Sequence, residues 1–163
     1  MSFVPISSLP PGARIWCYGV SARPTASVVE KLQTQLAAFL DTWTAHRADL
    51  RAGFDWLDDG FLVIAVDEST TGASGCSIDA LTSEVRRLGR EAGIDFLDAA
   101  PVWYCDASGN VRRVSRDEFR QLAAEGSVTE TTPVFDLTVE HLEAVRSGAW
   151  EVEAGSSWHA RLL

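Results

Sequence analysis

The chain has 163 residues and a formal net charge of −9, with 46% apolar and 23% charged residues. That length suits one domain, or one domain with a small appended unit, and buries roughly 70% of the unfolded surface, so no disulfide or metal staple is required. The acidic balance disfavours phosphate-backbone binding, which draws on clustered Lys and Arg, and no apolar run in the sequence approaches the length of a membrane span.

Arg86, Arg87 and Arg90 do cluster, but they fall in the last turns of a predicted helix, where cations complement the helix dipole. Cys17, Cys76 and Cys105 are odd in number and contain no C-x-x-C pair, a usage that points to reduced thiols and a cytoplasmic protein. The opening "MSFVPISSLPPGARIW" has neither a basic n-region nor an apolar h-region, so no secretory leader is expected.

In chain order, "RIWCYGV" (14–20) reads as the first strand, rich in aromatic and β-branched residues. Ser27-x-x-Glu30 forms a capping box, and the helix it opens sets Val28, Val29, Leu32, Leu36, Phe39, Leu40 and Trp43 on one face. "DLRAGFDWL" and "FLVIAVD" flank Asp59-Gly60, a two-residue type I′ hairpin signal. The continuous apolar run "FLVIAV" suits a strand covered on both faces. Ile78, Leu81, Val85, Leu88 and Ala92 then recur with 3-4-3-4 spacing, and Gly93 supplies the helix C-cap. "PVWYC" (101–105) reads as a further strand.

The order to this point is β-α-β-β-α-β, the pattern of a ferredoxin-like sheet whose first and third strands are central. Residues 1–105 are therefore expected to form a ferredoxin-like α+β unit. Residues 106–163 form a C-terminal extension packed on it. In that extension a hairpin closes over Ala107, Ser108 and Gly109, and Ser115-x-x-Glu118 caps a short helix ending at Gly126. "TPVFDL" is a candidate strand and Val139 to Ser147 a last short helix. The tail "WEVEAGSSWHARLL", with its two tryptophans, is expected to pack down.

"FLVIAVDESTTGASGCSIDAL", "GIDFLDAAPV" and the closing "SWHARL" resemble a group of bacterial proteins of similar length that often carry the automatic label "ABC transporter ATPase". The label does not fit the chemistry. No G-x-x-x-x-G-K-[ST] is present, and Gly72-Ala-Ser-Gly75 is followed by cysteine where a P-loop needs its phosphate-binding lysine. Residues 103–135, "WYCDASGNVRRVSRDEFRQLAAEGSVTETTPVF", are similar to GYF-like modules, which implies a β-β-α-β unit and recognition of a protein partner, often a proline-rich segment. On that resemblance Trp103 and Tyr104 are the contact candidates. As residue types they are equally at home in a core.

The candidate site is "DESTTGASGCSID" (67–79), at the entrance to the second helix. A ferredoxin-like order brings it to the same end of the sheet as "TAHRAD" (44–49). Cys76 is then a candidate nucleophile, with His46 as base, Asp67 or Glu68 orienting the imidazole, and the N–H groups of Gly75 to Ser77 as oxyanion donors. Read instead as an anion- or ligand-binding loop, the same stretch uses Gly72, Ser74, Gly75, Ser77 and Asp79, although the carboxylates at 67, 68 and 79 oppose an anion. Those carboxylates lack EF-hand spacing, and Cys76 with His46 supplies only two of four zinc ligands, so no metal and no cofactor are expected. The same residues also read simply as a helix start, with Ser77 as N-cap and Asp79 in the first turn.

Six tryptophans, an acidic surface and the GYF-like segment point to a protein–protein interaction or self-associating module. The alternative is a thiol-dependent hydrolase or transferase using Cys76 and His46.

Overall fold

The computed structural model describes residues 2–21, 23–57 and 60–163. It is a mixed α/β structure with two main antiparallel sheets and four α-helices among the described residues.

The first sheet holds β1 (Arg14–Gly19), β4 (Ala52–Leu57) and β5 (Phe61–Val66), in the order β1-β5-β4. Both ladders are antiparallel, with Val66 opposite Arg14 on one side and Ala52 on the other. Every residue of β5 is buried, as its unbroken apolar run requires. Alternation splits that run between two cores. Leu62, Ile64 and Val66 face α1 (Ala26–Asp41) and α2 (Gly75–Ala92), where they meet Leu36, Leu40, Leu81, Val85 and Leu88. Val63 and Ala65 face the opposite way, toward Leu9, Ala13 and Leu142. Leu142 opens α4 (Leu142–Arg146), part of the segment that covers this second face.

Between α1 and β4 the expected loop is a small hairpin of β2 (Thr44–Ala45) and β3 (Ala48–Asp49). Its turn residues His46 and Arg47 have φ of 51° and 67°, as a type I′ turn demands. Neither is the Asn-Gly or Asp-Gly that announces such turns, which is why the hairpin was hidden. The β4–β5 hairpin, by contrast, closes on the Leu57–Phe61 pair, so three positions lie between the paired residues and not two. Gly60 supplies the positive φ (95°) and donates its N–H to the Leu57 carbonyl at 2.9 Å. Asp59 lies outside the described residues.

The second sheet contains β6 (Val102–Cys105), β7 (Val111–Val114), β8 (Pro133–Phe135) and β9 (Glu151–Glu153), in the order β7-β6-β8-β9. This corrects the expected four-stranded ferredoxin-like sheet. Its first three strands take the expected order with both helices on one face, but β6, assigned by chain order to the unit 1–105, bonds wholly within the second sheet. The physical reason is two-sided burial. Val102 and Tyr104 pack on one face of β6 with Phe119 of α3 (Arg116–Ala124), Val134 and Leu162. Trp103 packs on the other face, with Phe61 of β5 and with Phe135 and Trp150. β1 is thereby left at an edge, where Ile15 N–H donates to Glu140 C=O at 2.9 Å.

The caps shift relative to the sequence reading. α1 is capped by Thr25, whose hydroxyl accepts from Val28 N–H, and not by Ser27. Ser115 and Glu118 form the expected reciprocal capping box, and Gly93 closes α2 in the left-handed conformation at φ 70°. The tail packs down as expected: Trp150 and His159 are buried and Trp158 half-buried.

Candidate functional site

The stretch 67–79 does lie at the same end of the first sheet as the β2–β3 hairpin. Trp43 Nε1–H, just before β2, donates to the Ser77 carbonyl at 2.8 Å in the first turn of α2. The side chains, however, do not assemble the expected triad. Asp67 accepts from Ser69 N–H at 2.9 Å and pairs with Arg51 at 3.4 Å, which holds its carboxyl below the usual range. Glu68 pairs with Arg14 at 3.5 Å. Arg14 of β1 and Arg51, just before β4, thus engage the carboxylates intended for the imidazole. No hydrogen bond or ion pair among the described residues joins His46 to Cys76, Asp67 or Glu68.

The N-cap of α2 is Ser74, not Ser77. Ser74 Oγ accepts from Ser77 N–H at 3.2 Å, while the Ser77 hydroxyl donates back to the Ser74 carbonyl at 2.8 Å. Ser77 is buried in the first turn and Cys76 is exposed beside it. Gly72, Gly75 and Asp79 are exposed, and neither glycine has a positive φ, so the loop makes no use of glycine's left-handed freedom. Among the described residues no group of three or more His, Cys, Asp or Glu side chains could hold a metal ion. Trp103 and Tyr104, the two contact candidates, are only 4% and 8% exposed. As adjacent strand residues they point to opposite faces, so they cannot share one docking surface.

A different place concentrates recognition chemistry. Where the end of β1 meets the second sheet there is a cavity of about 350 Å³. Tyr18, Phe96, Trp103, Phe135 and Trp158 wall it with aromatic surface. Gly19 contributes to the same lining, and the Trp103 indole packs so tightly on it that a β-carbon there would collide with the ring. Burial pushes the Cys17 thiol of this wall up to about 12 and the Tyr18 phenol higher still, with Asp136 adding to the first effect. Both groups are neutral at ordinary pH.

The charged groups of the cavity are Asp98 and Arg116. Asp98 accepts from Ala100 N–H at 3.1 Å and from Arg113 at 3.5 Å. Arg116 lies over the Trp158 ring at 4.9 Å and donates through Nε to the Ala100 carbonyl at 3.0 Å. Its two terminal nitrogens have no hydrogen-bond partner among the described residues.

His159, next to Trp158, is fully buried, its ring stacked on the indole with centroids 3.8 Å apart. Nδ1 sits 2.7 Å from Ser157 Oγ, and Nε2 has no partner among the described residues. Burial lowers its pKa to about 4; Asp136 acts in the raising direction and Arg116 in the lowering one. An orphaned buried polar atom costs about 1–3 kcal/mol, so the tail holds His159 there against a penalty.

The cavity residues come from positions 17–19, 96–99, 101, 103, 116, 135, 137, 138 and 158. No local spacing connects them, and sequence reasoning missed all but Trp103. The only legible signal was the tryptophan-bearing tail, read as packing. No helix of the described residues is long and apolar enough to cross a membrane. Comparison with known protein families, with curated proteins and with solved structures finds no match to this chain.

Proposed function

We propose that this chain is a small-molecule-binding protein whose site is the aromatic cavity between the two sheets. The observation that carries the reading is the combination of five aromatic walls with one underused guanidinium and few other polar groups. This is how ligand sites are commonly built: mostly apolar, with a small number of placed polar groups, in volumes of roughly 300–1,000 Å³. The cavity falls at the low end of that range, which suits a ligand of one or two rings.

In fold terms the reading joins a ferredoxin-like sheet lacking its fourth strand to a GYF-like β-β-α-β unit, with the ligand between them. A reducing, cytoplasmic setting belongs to the same reading, supported by Cys17 and Cys76, neither of which is in a disulfide. Docking of a protein partner through exposed aromatics has less support, because among the described residues Leu163 is the large hydrophobic residue that stands exposed. The thiol-dependent reading rests on Cys76 and His46, which no hydrogen bond joins.

The test uses 2-naphthamide, a neutral two-ring probe, titrated into the full chain and followed by heteronuclear NMR. Shifts centred on Tyr18, Phe96, Trp103 and Trp158, lost in Ala99→Trp at the exposed mouth, are expected. Absent or scattered shifts overturn the reading.

A further inference from the structure

We infer that the ligand of this cavity is a small planar carboxylic acid, its ring between the aromatic walls and its carboxylate on Arg116. The inference rests on the cavity being a ligand site, and it adds the charge and shape of what binds there.

Arg116 is the first residue of α3. A cation at a helix N-terminus is disfavoured by the dipole, and two acidic residues, Asp117 and Glu118, occupy the same turn as that dipole would prefer. Helix stability therefore does not account for an arginine at this position. Its side chain is nevertheless held in place: Nε is tied to the Ala100 carbonyl and the guanidinium plane is backed by Trp158. Fixing a guanidinium by one nitrogen and one face leaves its terminal nitrogens oriented as a fork. Such a fork matches a carboxylate with two parallel N–H···O bonds.

Charge balance selects the number of negative charges. Arg116 is the one cationic side chain among the described lining residues. Asp98 already has Arg113 and the Ala100 N–H as partners, so it leaves Arg116 unneutralised. Asp136 keeps its Oδ1 on the Thr138 N–H and hydroxyl at 3.0 and 2.5 Å. A phosphate dianion would bring two negative charges to one unpaired guanidinium. One carboxylate is balanced by one guanidinium. The neutral thiol of Cys17 and phenol of Tyr18 add no opposing charge at the inner wall.

Size and shape follow from the walls. The Trp103 indole is pressed on Gly19, and the Trp158 indole is held by contacts with the Arg116 guanidinium and the His159 ring. Rigid flat surfaces of this kind favour offset stacking with a flat ligand over packing against a branched one.

The experiment titrates the wild-type chain with 2-naphthoate and with its neutral isostere 2-naphthamide, at low and high salt, by calorimetry. The carboxylate is expected to bind roughly tenfold more tightly at low salt, and the advantage should shrink at high salt while amide binding holds. Arg116→Gln should erase the carboxylate's advantage over the amide and the salt dependence of that difference, with Arg116→Lys between the two. Should Arg116→Gln fail to fold, the salt dependence of the wild-type pair decides alone. Equal or stronger binding of the amide overturns the acid assignment and leaves the cavity standing. Binding of neither probe overturns both.

Discussion

The indole of Trp103, on the second sheet, lies against the backbone of Gly19 at the end of β1, too closely for any side chain to intervene. This contact fixes one wall of the cavity and one point at which the two sheets meet. Gly19 does not use a positive φ there, so it is the missing side chain that matters.

Gly19→Ala should therefore lower stability by about 1–3 kcal/mol, the usual range for overpacking. Trp103→Leu in the same background should recover part of the loss. Urea denaturation of the four chains gives the coupling, and strictly additive effects would show that the contact is not the cause.

Ser74 caps α2 while Ser77 is buried one turn in. Ser74→Asp should stay within about 0.5 kcal/mol of wild type, since aspartate is an equally good N-cap. Ser77→Asp should cost at least ~2 kcal/mol by burying a charge. Thermal unfolding separates the two, and the reverse ranking would restore Ser77 as the cap.

His46 and Arg47 hold positive φ without the residues that favour it. Replacing the pair by Asn and Gly should stabilise the chain by about 0.5–1.5 kcal/mol, because Asn-Gly suits a type I′ turn. A lower melting temperature for His46→Asn/Arg47→Gly would mean that these side chains are held by something the turn geometry does not include.

His159 has a pKa near 4 in the folded chain against an ordinary value of 6.5. The unfolded chain therefore binds more protons between those values. Stability from this group is present above pH 6.5 and is lost as pH falls toward 4, on the order of 3 kcal/mol in all. The neighbours acting on it are Asp136, which opposes the effect, and Arg116, which adds to it. In His159→Gln the stability–pH slope should flatten across pH 4–6.5. An unchanged slope would place the acid sensitivity in the carboxylates alone.

Cys17 and Cys76 should differ sharply toward iodoacetamide at pH 8. The Cys17 thiol is raised to about 12 from 9.0, which cuts its thiolate roughly a thousandfold, and thiolate is the reacting form. Cys76 is exposed. Peptide mapping should find label on Cys76 long before Cys17, and denaturant should abolish the difference. Rapid native labelling of Cys17 would mean that its wall opens to solvent.

Much of the local structure was legible. The 3-4 spacing of Leu81, Val85 and Leu88, the Ser115–Glu118 capping box, the left-handed Gly93 and the two-sided burial of β5 all follow from periodicity and backbone preference. These are rules about residues within a few positions of one another. The exact caps of α1 and α2 escaped because several hydroxyls stand close together, and the sequence does not say which one leaves the helix.

What only the tertiary structure decided is which sheet claims β6, and with it the site. "VWYC" carries apolar side chains on both faces, so its pattern fits either sheet. The choice is made by Phe61 and Trp150 on one side and Phe119 on the other, each distant in the chain. The same long-range packing carries Arg116 and Trp158 to the end of β1, where no spacing in the sequence relates them to Gly19. Hydrophobic periodicity names the faces of each element, but burial is non-directional, and only the assembled packing settles which faces meet.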